Sequence, residues 1–183
     1  MSATGSASSG TAKRIAVVVG NPKPASRTLG AAVAVADTLA EVTGASPDHL
    51  VIDLAEHAAS LFDWAAPELS RLTAEVAAAD LAVFASPTYK ASYTGMLKAF
   101  LDRYGSNGLA GLVAVPLMTG GWPGHLLAVE VHLRPVLIEL GAVVPARGLY
   151  ITEPEFADMD AAVAKWTGAG IPHIRAALRE QRM

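Results

Sequence analysis

The chain has 183 residues, 52% of them apolar, and carries 14 Lys and Arg against 17 Asp and Glu, for a net charge of −3. That length fits one domain around one core, and a mild acidity without any basic run argues against a nucleic-acid partner. Cysteine is absent, which excludes disulfides, thiolate metal sites and Cys-x-x-Cys motifs, so any redox chemistry needs a cofactor to carry the electrons.

Residues 1–12 are mostly Ser, Ala, Gly and Thr, with neither a basic start nor an apolar core. They are expected to form a disordered tail rather than a secretory signal, leaving 13–183 as a single domain. Ile15 to Val19 is a continuous apolar run rich in β-branched residues, ended by Gly20-Asn21-Pro22, and reads as a strand buried on both faces. From Ser26 the spacing of Leu29, Val33, Ala36, Leu39 and Ala40 predicts a helix up to Gly44. His49 to Leu54 reads as a second strand and Leu61 to Trp64 as a loop, with Pro67 opening a helix to about Ala78.

Leu81 to Ala85 is the third strand and Thr94 to Tyr104 the third helix. Leu112 to Met118 is the fourth strand, broken by Thr119-Gly120-Gly121-Trp122-Pro123-Gly124. A helix from His125 to Leu140 follows, ended by Gly141. Arg147 to Thr152 is the fifth strand, and the helix from about Ala157 is expected either to kink or to stop and restart near Gly168, Gly170 and Pro172. No apolar run approaches the ~18–20 residues that span a bilayer, so a soluble cytoplasmic protein without a membrane partner is expected. Strands alternating with helices predict an α/β fold, a parallel sheet covered on both faces by right-handed crossovers. Periodicity leaves the strand order open.

Three loops lie at the ends of predicted strands, where ligands bind in open parallel sheets. Gly20 to Thr28 leads into a helix N-terminus, where unpaired N–H groups and the helix dipole favour an anion, and Ser26, Arg27 and Thr28 add side-chain donors. Its spacing is neither the P-loop nor Gly-x-Gly-x-x-Gly. Ser86-Pro87-Thr88-Tyr89-Lys90-Ala91-Ser92 supplies an aromatic ring and hydrogen-bonding groups suited to a flat, partly polar ring system, with Ser92 placed to cap the next helix. Thr119-Gly120-Gly121 lets the backbone approach a planar ligand closely and permits positive φ. A phosphate at the first loop and a ring near the other two is how a mononucleotide would lie across the sheet edge. The histidines lack metal-ligand spacing, so no metal site is expected. Asp53, Asp80 and Asp102 sit at element ends, where capping and ion pairing dominate.

The segments Gly20 to Thr28, Ser86-Pro-Thr-Tyr-Lys-Ala-Ser-Tyr-Thr-Gly-Met-Leu-Lys98, and Thr119-Gly120-Gly121 with His125-Leu-Leu-Ala-Val-Glu130 and Arg134-Pro-Val-Leu137 resemble the NADPH-dependent FMN reductase family. The likeness spans about residues 14 to 180 and is strongest to the branch that supplies reduced flavin to alkanesulfonate monooxygenases. The resemblance implies a three-layer flavodoxin-like fold with strand order 2-1-3-4-5. It implies FMN with its phosphate at Ser26, Arg27 and Thr28, and at Asn21, which stands where a serine is usual. Its ring would be wrapped by Pro87, Thr88, Tyr89 and Lys90, with Ser92 nearby, and bordered by Thr119, Gly120 and Gly121. NADH or NADPH would be the reductant, and no catalytic side chain is implied. A flavin-dependent monooxygenase partner and a homodimer or homotetramer are also implied, with the helix from His125 to Leu140 at a subunit interface. Some relatives carry a π-bulge and an aromatic in that helix; here Val131-His132 stands in the region, and the sequence leaves the bulge open. Two rival readings use the same fold: an FMN-bound quinone, azo or metal-ion reductase, and a non-enzymatic electron carrier. Carriers of that kind tend to be strongly acidic, unlike this chain.

Overall fold

The computed structural model describes residues 12–180; the expected tail, apart from Ala12, lies outside the described residues. Five parallel strands, β1 (Ile15–Val19), β2 (Leu50–Asp53), β3 (Leu81–Pro87), β4 (Val113–Gly120) and β5 (Leu149–Thr152), form one sheet in the order β2-β1-β3-β4-β5. The helices are α1 (Arg27–Thr43), α2 (Pro67–Ala77), α3 (Gly95–Leu101), α4 (Arg134–Glu139) and α5 (Met159–Glu180). Alternation along β1 divides the core: Val17 and Val19 pack with Leu39 of α1 and Ile174 of α5, while Ala16 and Val18 pack with Leu69 of α2 and Phe100 of α3. Each fully buried Leu or Phe contributes about 1.5–3 kcal/mol, and the two apolar layers force the sheet's open edge, not its faces, to host a ligand.

Both strands that enter the candidate site run further than the apolar pattern predicts. β3 continues through Ser86 and Pro87, which pair with Met118 and Thr119 of β4. Pro87 is tolerated there because β1 has already ended opposite Ala85, so the missing N–H faces no neighbouring strand. Gly20 closes β1 against α3, since a Cβ there would stand 2.4 Å from Leu97 Cβ. Only glycine lets α3 approach the end of β1 this closely, which brings the first two loops side by side.

One helix differs from expectation, and another removes one of the two alternatives the sequence left open. The span from His125 to Leu140 is not one α-helix: a 3-10 turn at Pro123–His125 is followed by a π-helix at Val129–Leu133 and then α4. The Arg134 N–H reaches back to the Val129 carbonyl, and Pro135, which cannot donate to Val131 in an α-helical ladder, is accommodated by this widened turn. Around it, the Glu130 carboxylate accepts the Gly148 N–H, and Arg134 donates to the Ala146 and Val144 carbonyls at 2.7 and 2.8 Å. The last helix, α5, is assigned without interruption through Pro172, so it neither stops nor restarts. Among the described residues, no helix is long and apolar enough to cross a membrane.

Candidate functional site

A cavity of about 320 Å3 opens at the carboxyl ends of the strands. The first loop contributes Asn21, Ser26, Arg27 and Thr28, the second Pro87, Thr88 and Tyr89, and the third Thr119, Gly120 and Gly121. Ten of the twelve residues singled out from sequence therefore face one space. Lys90 and Ser92 do not line it. They belong to a tight turn in which Tyr89 and Ser92 exchange backbone hydrogen bonds of 2.8 and 3.1 Å.

The first loop is held from behind. The buried Asp53 carboxylate at the end of β2 accepts the Ala25 N–H at 2.9 Å and the Ala55 N–H at 3.2 Å. Ala25 adopts φ 50° immediately before the helix, a left-handed conformation costing ~1–2 kcal/mol for a residue with a Cβ. Ser26 is the N-cap of α1, accepting the Leu29 N–H through Oγ. The N–H groups of Arg27 and Thr28 then point beyond the helix end, where intrahelical acceptors do not reach. Thr28 Oγ1 lies 2.8 Å from Thr119 Oγ1, and Asn21 Nδ2 donates to Thr28 Oγ1 at 3.2 Å. This buried chain of hydroxyl and amide ties the first loop to the third. Asp53 caps the 3-10 turn Leu54–His57 and Asp102 pairs with Lys98, as expected of them, whereas Asp80 accepts the backbone N–H of Arg14 and neither caps a helix nor forms an ion pair among the described residues.

The second loop differs from its sequence reading in one respect. Thr94, not Ser92, is the N-cap of α3: its hydroxyl accepts the Leu97 N–H and donates to the Gly20 carbonyl. Ser86 Oγ accepts the Thr94 N–H at 2.9 Å and donates to the Pro87 carbonyl at 2.8 Å, and the Thr88 N–H donates to the Thr119 carbonyl at 2.7 Å. The caps moved because the chain must first complete the Tyr89–Ser92 turn before the helix begins.

In the third loop, neither glycine uses positive φ among the described residues. Gly120 is tightly packed, since a Cβ there would meet Tyr150 Oη at 2.2 Å and the tyrosine would have to shift. Gly121 leaves room, with only Glu153 Oε2 within 3.5 Å of a Cβ position.

Three further residues line the cavity: Lys23, Glu153 and Phe156. Lys23 was within the first loop, and its contribution follows from the same anion argument as Arg27. Glu153 and Phe156 follow β5 directly, so the strand-end rule that found the other loops would have found them if applied to the fifth strand. Arg27 donates to Glu153 Oε1 at 2.9 Å, and its guanidinium lies 4.9 Å above the Phe156 ring. A larger cavity of about 550 Å3 lies beyond β5, walled by Arg147, Lys165, Trp166 and His173, and holds none of the twelve candidate site residues.

The donor set suits a phosphorylated heterocycle. Two cations, Lys23 and Arg27, and the first turn of a 17-residue helix are of the kind that suits an anion. The Thr88 hydroxyl is buried with no hydrogen-bond partner, a donor left for a ligand atom since such groups are otherwise satisfied.

Comparison with known proteins gives the family. Residues 13–155 match the model of the NADPH-dependent FMN reductase family. An FMN reductase (NADPH) of Escherichia coli is 40% identical over 92 residues, which is 50% of this chain and 48% of that protein, so the chain spans about half of its length. An FMN reductase (NADPH) of Pseudomonas aeruginosa is 35% identical over 150 residues, covering 79% of this chain and 78% of that one. The crystal structure of an NADH:FMN oxidoreductase in its apo form superposes with a TM-score of 0.80 at 30% identity over 90% of this chain and 89% of that chain. With the flavodoxin-like strand order and the three loops converging on one cavity, the chain belongs to the NADPH-dependent FMN reductase family.

Proposed function

We propose that this chain is an NAD(P)H-dependent FMN reductase that supplies reduced flavin to a partner monooxygenase. The observation that carries the reading is the convergence of all three strand-end loops on one cavity with an anion end and a ring end. Bound FMN would accept a hydride at N5 from the nicotinamide, so the protein's task is to bind, orient and shield.

Ser26, Arg27 and Thr28 would hold the phosphate at the N-terminus of α1, with Asn21 fixing the Thr28 hydroxyl. Pro87, Thr88 and Tyr89 would flank the ring, the Thr88 hydroxyl donating to one of its polar atoms, while Thr119, Gly120 and Gly121 bound its other edge. Lys90 and Ser92 would act through the turn that presents Tyr89. The exposed Tyr89 leaves one side of the ring site open, where a nicotinamide could stack within about 3–3.5 Å. No side-chain acid or base is needed for the transfer.

What supports the monooxygenase partner is the likeness of the motifs to the branch that supplies reduced flavin. What supports an oligomer is that Leu126, Leu127, Val131 and Ile138 lie exposed along and beside the π-helix, apolar side chains suited to a subunit contact. Steady-state oxidation of NADH and of NADPH with free FMN as the varied substrate tests the activity. Saturable FMN reduction is expected. NAD(P)H oxidation only with a quinone, azo dye or metal ion would replace this reading with the FMN-bound reductase, and none without an added reductase would leave an electron carrier.

A further inference from the structure

We infer that Glu153 competes with the flavin's phosphate for Arg27 and so sets FMN to exchange as a substrate rather than stay bound; the inference rests on the flavin reading of the cavity. Glu153 and Phe156 sit three residues apart in the 3-10 helix Glu153–Asp158, a spacing at which side chains eclipse. One turn therefore clasps Arg27 from two sides, the Glu153 carboxylate at 2.9 Å and the Phe156 ring at 4.9 Å. The clasp is held in place at its start: Glu155 accepts the Thr152 N–H at 2.7 Å and the Thr152 hydroxyl at 2.6 Å, and Thr152 pairs with Gly120 in the sheet.

This places a carboxylate where an anion is expected. Of the charged side chains lining the cavity, Lys23 and Arg27 are positive and Glu153 is negative, so one of the two cations is already engaged before a phosphate arrives. Glu153 also stands beside the open Gly121, between the anion end and the ring end. A phosphate taking Arg27 must displace this carboxylate and then sit near it. Both partners are largely exposed, at 65% and 60%, so the pair is weak enough to yield, up to about fivefold in an equilibrium.

The test is titration of the full chain with FMN and with riboflavin, followed by flavin fluorescence, for the wild type and for Glu153→Gln, Arg27→Ala and the double variant. Stopped-flow displacement supplies the FMN off-rate. FMN is expected to bind about fivefold tighter to Glu153→Gln and to leave correspondingly more slowly. Riboflavin affinity should not change, and the Glu153→Gln effect should fall below twofold in the Arg27→Ala background. FMN affinity that is unchanged or weaker in Glu153→Gln, or riboflavin tightened as much as FMN, overturns the inference while leaving the flavin site standing. A wild-type chain that takes up neither flavin removes the flavin reading itself, and this inference with it.

Discussion

The two walls of the cavity are built to different standards. On the side of β1, α1 and β4, buried polar groups close on one another: Asp53 holds Ala25, Asn21 holds Thr28, and Thr28 meets Thr119. On the side of the second loop, the turn is exposed at Tyr89 and Lys90, and Lys90 and Ala91 both adopt left-handed φ, 51° and 64°. Type I′ hairpin turns require that conformation at both central residues and favour Asn-Gly; here a lysine and an alanine bear it. A satisfied, buried network suits a phosphate loop of fixed shape, whereas an exposed, strained turn suits a surface that must admit and release a second ligand.

The strongest way to break the contrast is at Gly20, on the rigid side. Gly20→Ala would drive a Cβ into Leu97 and its backbone, and a loss of about 3 kcal/mol is expected, read from urea denaturation. An unchanged midpoint would mean that α3 is not pinned against β1. Asp53→Ala removes the acceptor for two N–H groups, and a loss of about 2 kcal/mol is expected, with weakened FMN binding in a titration. If stability falls and FMN affinity does not, Asp53 supports the fold without shaping the phosphate loop.

On the soft side the sign reverses. Lys90→Asn combined with Ala91→Gly should stabilise the chain by about 1 kcal/mol, measured by thermal melting, because the strain is relieved. Destabilisation would show that the lysine and alanine side chains contribute packing that outweighs it. The smallest effect lies just outside both walls, at Glu155. The Thr152 hydroxyl holds its carboxyl below the ordinary value, partial burial opposes this, and the Thr152 N–H and Lys165 assist. A depressed folded-state pKa stabilises fully above the ordinary 4.5 and is lost as pH falls through the lower folded value. Melting curves across that range should flatten in Glu155→Gln by less than about 0.5 kcal/mol, since the group is partly exposed; an identical slope in both proteins would remove the capping contact from the stability of the 3-10 helix.

Much of this was legible in the sequence for physical reasons. Continuous apolar runs announced the buried strands, and Gly44 and Pro67 marked helix ends through φ and a missing donor, as found. Strand order entered only through the family likeness, because periodicity reports burial and not neighbours. β3 and β4 ran past their apolar runs because Ser86 and Thr119 are paired as backbone while their side chains are polar. The π-helix at Val129–Leu133 entered only as an open question through the family likeness, because apolar spacing alone does not tell a widened turn from an uninterrupted α-helix. Of the site, the loops were found and their detailed contacts were not. Glu153 went unnoticed because a carboxylate after the fifth strand reads as a helix-start residue, and only the fold brings it to Arg27 across 126 residues.

The central claim is that the N-terminus of α1, with Arg27, holds the phosphate of a flavin. Its most direct test compares FMN with riboflavin, which differ in that phosphate alone, on the wild type and on Arg27→Ala. FMN should bind the wild type well ahead of riboflavin, and Arg27→Ala should erase most of that difference while sparing riboflavin; equal affinity of the wild type for the two flavins would contradict it.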